Sequence, residues 1–83
     1  MTKDEAASAL REIGTLLELQ GENPFKCRAY QAAARTLETA PADLGELVRS
    51  GRLGELPGIG ESLREKIITL VTTGKLPYLE KLR

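Results

Sequence analysis

Histidine and tryptophan are absent from this 83-residue sequence, and cysteine occurs once, at Cys27. A single thiol forms no internal disulfide, and one cysteine without histidine leaves a structural zinc site almost without ligands. No apolar run approaches the length of about 18 residues that a membrane span requires, and there is no signal-peptide pattern. We therefore expect a cytoplasmic protein with no membrane partner and no cofactor built on side-chain ligands.

Aromatic residues are also few, since only Phe25, Tyr30 and Tyr78 occur. The core must therefore consist mainly of aliphatic side chains. Leucine, alanine, glutamate and arginine dominate the sequence, and these residues favour helices. No segment alternates between apolar and polar residues as a half-buried strand does. The composition predicts an all-α fold, and a chain of 83 residues has room for one domain with a small core.

The net charge is zero, which by itself argues against a nucleic-acid partner. The charges are unevenly distributed, however. Residues 1–22 carry two basic and five acidic side chains, a net charge of −3, so that residues 23–83 carry +3. The basic excess therefore lies in the part of the chain that contains the candidate site.

Capping signals and apolar spacing predict four main helices and a short closing helix. A T-x-x-E capping box at Thr2 opens the first helix, Lys3 to Leu19, whose predicted buried positions are Ala6, Ala7, Leu10, Ile13, Leu16 and Leu17. Asn23-Pro24 starts a second helix that ends near Thr39. Its predicted buried stripe is Phe25, Ala29, Ala32, Ala33 and Leu37, and the residues predicted on or beside its other face are Lys26, Arg28, Tyr30 and Arg35.

The second half of the chain is divided by glycine and proline. A short third helix is predicted from Leu44 to Arg49, followed by a single turn at Arg52–Glu55. A longer helix is predicted over Glu61–Thr73, with Gly74 as its C-terminal cap, and its inward positions are Leu63, Ile67, Leu70 and Val71. Pro77 starts the closing helix, which runs through Lys81.

The motif L-P-G-I-G, residues 56–60, separates two of these helical segments. We expect Gly58 and Gly60 to adopt backbone angles closed to other residues and to leave room for a ligand. Pro57 stiffens the entry, and Ile59 is expected to point into the core. The turn would then expose backbone N–H groups at the positive end of the Glu61–Thr73 helix, which predicts a phosphate site. The alternative is a purely structural turn between two helices.

Two side chains extend this candidate site. Ser62 lies in the first turn of the helix, and Lys66 lies four residues later on the same face. Lys66 is therefore placed to stand over a bound phosphate. The alternative is that Ser62, Glu65 and Lys66 form only a solvated face, and spacing alone leaves both interpretations open.

Four segments, taken in order, resemble the N-terminal domain of family X DNA polymerases, most closely the bacterial and archaeal members. They are NPFKCRAYQAAA (residues 23–34), LPGIG (56–60), TGKL (73–76) and LEKL (79–82). The small lyase domain of DNA polymerase beta is similar over the same stretch. The resemblance covers nearly the whole chain. It implies a single helix-hairpin-helix domain over residues 1–83 that forms the N-terminal part of a longer polymerase, with the chain ending inside a closing helix.

In that family the domain holds the 5′ side of gapped DNA, and the hairpin binds backbone phosphates. By position, a monovalent cation (Na⁺ or K⁺) would be held by the carbonyls of Gly54, Leu56 and Ile59. Lys66 falls on the position of the lysine that forms a Schiff base with deoxyribose phosphate. Lys26 and Tyr30 match residues that serve the 5′ phosphate and the lyase pocket.

The chain also departs from the lyase pattern. Ser62 and Tyr78 stand where lyase members carry further lysines, and Phe25 stands where polymerase beta has a histidine. Fewer positive charges weaken phosphate binding and give less help to an attacking amine. We therefore predict DNA-backbone binding that positions gapped DNA, with slow or absent lyase turnover at Lys66. Two alternatives remain, namely an active 5′-deoxyribose phosphate lyase and a helical protein-interaction module.

Overall fold

The computed structural model describes all 83 residues and contains only helices and turns. The elements are α1 (Lys3–Leu19), α2 (Pro24–Thr39), α3 (Leu44–Arg49), a 3-10 turn (Leu53–Glu55), α4 (Glu61–Thr73) and α5 (Pro77–Leu82). The prediction of an all-α fold is confirmed, and the predicted helix bounds agree with the observed ones to within a residue or so. None of these helices is both long and apolar enough to span a membrane.

Local capping explains why the helices begin and end where they do. The Thr2 hydroxyl accepts a hydrogen bond of 3.1 Å from the Glu5 N–H, and the Glu5 carboxylate accepts one of 2.8 Å from the Thr2 N–H. This is the reciprocal capping box that the sequence predicts. The Asn23 side chain caps α2 through the Phe25 N–H at 2.8 Å. Gly74 ends α4 in the left-handed conformation, with φ 75°.

The principal helix pair is α1 with α2, and small residues allow the two helices to approach closely. Ala6 and Ala7 on α1, and Ala33 and Ala34 on α2, are fully buried. Gly14 is the closest point, because a Cβ there would lie 2.6 Å from the Gln31 side-chain nitrogen and 3.1 Å from a backbone carbonyl of α2. A side chain at position 14 would therefore displace the Gln31 side chain and crowd the Cys27 carbonyl.

Leucine and isoleucine side chains from every part of the chain meet in one core. Its largest fully buried members are Leu10, Ile13, Leu37, Leu44, Leu53 and Ile67. Leu79 anchors α5 to this core, and Ile59 anchors the turn before α4. The core therefore fixes the position of the turn relative to α2, α4 and α5.

The predicted buried face of α2 was partly wrong. Phe25 is 75% exposed, and Ala29 is also exposed. Ala33 and Leu37 are buried as predicted, together with Cys27, Tyr30 and Ala34. Both sets have helical spacing, so periodicity alone did not separate them. Contact with α1 and α5 determined that the face containing Cys27, Tyr30 and Ala34 is the buried one. The Phe25 ring lies outside the core, 4.8 Å from the Arg28 guanidinium.

Surface contacts join the ends of the helices. The Arg11 guanidinium of α1 donates two hydrogen bonds to the Glu38 carboxylate of α2, at 2.5 and 2.8 Å. This contact lowers the pKa of the Glu38 carboxyl below its ordinary value. Arg83 makes an equivalent pair with Glu12 at 2.6 and 2.8 Å. The Lys3 ammonium donates to the Ala40 carbonyl and so ties the start of α1 to the end of α2.

Candidate nucleic-acid interface

The candidate site centres on the hairpin, residues 56–60, which joins the 3-10 turn to α4. Gly58 has φ 80°, a left-handed conformation that side chains rarely adopt. The Ile59 N–H donates to the Leu56 carbonyl at 3.2 Å, and the Ile59 side chain is 5% exposed. The prediction that Ile59 points into the core is thus confirmed. The Thr36 hydroxyl of α2 donates to the Pro57 carbonyl at 3.1 Å, which ties the tip of the hairpin to a second helix.

Backbone N–H groups that make no hydrogen bond within the protein line the path from the hairpin into α4. They belong to Gly58, Gly60, Glu61, Ser62 and Leu63. No side chain caps this end of α4, because the N-cap residue is Gly60. A Cβ at Gly58 or Gly60 would meet no atom within 4 Å, so no side chain crowds the backbone at these two positions. Uncapped N–H groups at the start of a 13-residue helix can donate hydrogen bonds to an anion.

The expected conformation of Gly60 was wrong. Its φ of −80° and ψ of −178° lie in the extended region that any residue adopts. Gly60 is therefore not required for the path of the backbone. Of the two glycines only Gly58 is conformationally required, whereas both leave space beside the free amides.

Lys66 and Ser62 share one face of α4, as their spacing predicts. The Lys66 ammonium donates to the Ser62 hydroxyl at 2.9 Å. It also lies 4.7 Å from the centroid of the Tyr78 ring, which α5 contributes. Tyr78 in turn stacks on Tyr30 of α2, with centroids 6.4 Å apart and ring planes at 13°. The structure thus brings α2, α4 and α5 together beside the hairpin.

Tyr30 and Lys26 occupy different environments on α2. Tyr30 was expected on or beside the outer face, but only 5% of it is exposed. Burial raises the pKa of the Tyr30 hydroxyl above its usual range. Tyr30 therefore supports the site through stacking and offers little surface to a ligand. Lys26 is exposed, and the nearby Tyr78 phenol, followed by the Glu22 carboxylate at 3.4 Å, raises the pKa of Lys26.

Two further residues belong to the surroundings of the hairpin. The Arg64 side chain lies over Gly54, with its guanidinium nitrogen 3.4 Å from the position that a Cβ of Gly54 would take. Arg64 is exposed and has no carboxylate partner, so it adds a positive charge beside the hairpin. Sequence reasoning missed Arg64, although its place in the first turn of α4 was a signal. It also missed Thr36, which no local pattern connects to the hairpin.

The carbonyl oxygens expected to hold a cation differ in their hydrogen bonding. Those of Gly54 and Ile59 accept no hydrogen bond, whereas that of Leu56 accepts one, from the Ile59 N–H. No cluster of three or more cysteine, aspartate or glutamate side chains is arranged to bind a metal. Oxygen ligands for an ion near the hairpin would therefore come from the backbone.

A shallow groove elsewhere on the surface shares no residue with the hairpin. It lies between the start of α1, the end of α4 and α5, and its lining includes Met1, Leu70, Leu76, Leu79 and Arg83. None of the candidate site residues lines it. The free amides and the lysines lie instead on the open surface around the hairpin, which suits an extended ligand more than an enclosed small molecule.

Comparison with known proteins agrees with this geometry. Residues 1–76 match a protein family described as "Helix-hairpin-helix domain". The chain belongs to this family. Over all 83 residues the helix-hairpin-helix domain is also 34% identical to the DNA polymerase/3′-5′ exonuclease PolX of Bacillus subtilis (strain 168). The domain spans 14% of the length of that relative. The resemblance to family X polymerases is thereby confirmed.

Proposed function

We propose that this helix-hairpin-helix domain binds the sugar–phosphate backbone of DNA without reading its base sequence. The observation that carries the proposal is the row of free N–H groups from Gly58 to Leu63, which ends at the positive pole of α4. Such groups recognise phosphate oxygens, which are the same at every base pair. The similarity to a DNA polymerase supports DNA as the source of the phosphate.

Positive side chains around the hairpin would strengthen this contact. Lys66 and Arg64 lie on α4 near the free amides, and Arg64 has no carboxylate partner. Lys26 lies on α2 and is paired with the Glu22 carboxylate at 3.4 Å. The net charge of zero does not prevent binding, because the acidic excess lies in residues 1–22. We propose further that the domain holds gapped, 5′-phosphorylated DNA for the catalytic domains of a longer polymerase.

A salt titration tests the proposed DNA binding. Fluorescence anisotropy would follow binding to a gapped duplex with a 5′ phosphate, to the same duplex with a 5′ hydroxyl, and to duplexes of shuffled sequence. We expect log affinity to fall linearly with log salt, by about 0.9 for each phosphate neutralised, with equal affinity for all sequences. A salt-independent affinity or a strong consensus sequence would refute the proposal, and an absence of DNA binding would favour the protein-interaction alternative.

A monovalent cation at the hairpin is part of the same proposal. The expected ligands are the carbonyl oxygens of Gly54 and Ile59, which accept no hydrogen bond, and that of Leu56, which accepts one. Neutral backbone oxygens of this kind bind K⁺ in proteins. Such an ion would add positive charge beside the phosphate. Replacing K⁺ and Na⁺ with tetramethylammonium at constant ionic strength should then weaken DNA binding. Unchanged affinity would exclude the ion from the interface.

Lyase chemistry at Lys66 is a second candidate, favoured by the position of this amine one turn from the free amides of α4. The amine would form a carbon–nitrogen bond to the aldehyde of a ring-opened 5′ deoxyribose phosphate, with loss of water. We expect slow or absent turnover, because few cations surround Lys66. Efficient borohydride trapping that disappears in Lys66→Ala would show an active lyase. Trapping that survives this substitution would move the chemistry to another amine, with Lys26 the next candidate.

A further inference from the structure

Tyr78 contacts both Tyr30 and Lys66, and these three side chains form a lysine–tyrosine cluster. The Tyr78 ring face lies 4.7 Å from the Lys66 ammonium, and it stacks on the Tyr30 ring. Tyr78 reaches these partners from α5, whose own core anchor is Leu79.

A lysine on a helix surface is ordinarily mobile, because a flexible stem of four carbons separates the ammonium from the backbone. Lys66 is held at two points, by the Ser62 hydroxyl at 2.9 Å and by the face of Tyr78. A cation over an aromatic face is attracted by the ring quadrupole. The ring is itself immobilised, since Tyr30 behind it is buried. Part of the rotamer entropy that Lys66 would lose on meeting a phosphate is therefore already lost in the free protein.

We propose that Tyr78 is a positioning residue whose ring face holds Lys66 ready to meet a DNA phosphate. This inference rests on the proposed phosphate binding and extends it to α5. Tyr78 supplies no charge itself. It raises affinity by ordering a charge that would otherwise be mobile.

Two variants distinguish the role of the Tyr78 ring from that of its hydroxyl. Tyr78→Phe keeps the ring face over Lys66 and the stack on Tyr30 but removes the hydroxyl. Tyr78→Leu keeps an apolar side chain for the core but removes the ring. Lys66→Met keeps the length of the lysine side chain and removes its charge. Circular dichroism melts of each variant show whether the fold is retained.

The first measurement needs no DNA, so it stands even if the proposed function fails. In the wild-type protein, NMR should show the methylene protons next to the Lys66 nitrogen shifted upfield by the Tyr78 ring current. We expect the shift to persist in Tyr78→Phe and to vanish in Tyr78→Leu. A wild-type spectrum without this shift would overturn the proposal, whether or not Tyr78→Leu folds.

The second measurement is a double-mutant cycle on a gapped duplex with a 5′ phosphate. Tyr78→Leu should weaken binding by about two- to fivefold, the scale of an exposed cation–π contact. The effect of Lys66→Met should be smaller in the Tyr78→Leu background than in the wild type. In that background the Lys66 charge is no longer held in place, so its removal costs less affinity. Independent, additive effects would show that Tyr78 has only a structural role. Wild-type protein that binds no DNA would refute the proposed function but leave the NMR result to decide whether Tyr78 holds Lys66.

Discussion

Gly58 and Gly60 lie two residues apart in the hairpin but differ in backbone conformation. Gly58 has φ 80°, whereas Gly60 has φ −80° and ψ −178°. Neither would bring a Cβ within 4 Å of another atom. An alanine therefore meets no clash at either position, and any effect on stability must come from backbone conformation alone.

The expected changes in stability follow directly. Gly58→Ala forces a side chain into the left-handed region, which costs about 1–2 kcal/mol. For a domain of this size each kcal/mol lowers Tm by about 4–8 °C. Gly60→Ala introduces no strain, and it reduces the conformational freedom of the unfolded chain, which is worth about 0.4–1 kcal/mol of stabilisation. Gly60 is also the N-cap of α4, a backbone position that favours glycine over alanine, so the two contributions oppose each other. Gly58→Ala should therefore lower Tm by more than Gly60→Ala does.

The glycine variants should rank differently in DNA affinity than in Tm. Gly60→Val places a branched side chain beside the free N–H groups and should weaken binding to gapped DNA at temperatures well below its Tm, where the variant is folded. Gly74→Ala is the matched control, because Gly74 has φ 75° and open space around it but lies at the far end of α4. It should lower Tm as Gly58→Ala does and leave DNA affinity unchanged.

Thermal unfolding by circular dichroism and fluorescence anisotropy give the two readouts. Equal losses of Tm in Gly58→Ala and Gly60→Ala would refute the conformational argument. Wild-type DNA affinity in Gly60→Val would refute the role of the free amides, since the side chain would then stand where no phosphate approaches.

Two other contacts make further predictions. The Arg11 guanidinium lowers the pKa of the Glu38 carboxyl from its ordinary 4.5. The stability that this pair contributes is therefore fully present above about pH 4.5. It is lost as the pH falls through the lower pKa that Glu38 has in the folded state. On acidification, the Tm of Glu38→Gln should therefore fall less than the Tm of the wild type, as measured by thermal melts across that pH range. A pH profile of Tm identical to that of the wild type would exclude the pair as a contributor to stability. Thr36→Val removes the hydrogen bond to the Pro57 carbonyl and should cost about 0.5–1.5 kcal/mol in urea unfolding, and an unchanged midpoint would show that α2 does not hold the hairpin.

The positions of the helices could be predicted because helix ends are set by local interactions. The Thr2–Glu5 capping box, the Asn23-Pro24 start and the Gly74 end each involve residues that are close in sequence. The hairpin could be recognised for the same reason, since its motif is contiguous and Ile59 follows the apolar pattern. Local order therefore supplied the helix-hairpin-helix interpretation and the candidate phosphate site.

Tertiary packing alone decided which face of α2 is buried. Two sets of positions had the same helical spacing, and docking against α1 and α5 buried Tyr30 and exposed Phe25. The contacts around Tyr78 had the same origin, because their members come from three helices and no helical periodicity relates them. Periodicity identifies the faces that a helix can bury, but the choice between equivalent faces depends on side chains distant in sequence, which meet only when the chain is folded.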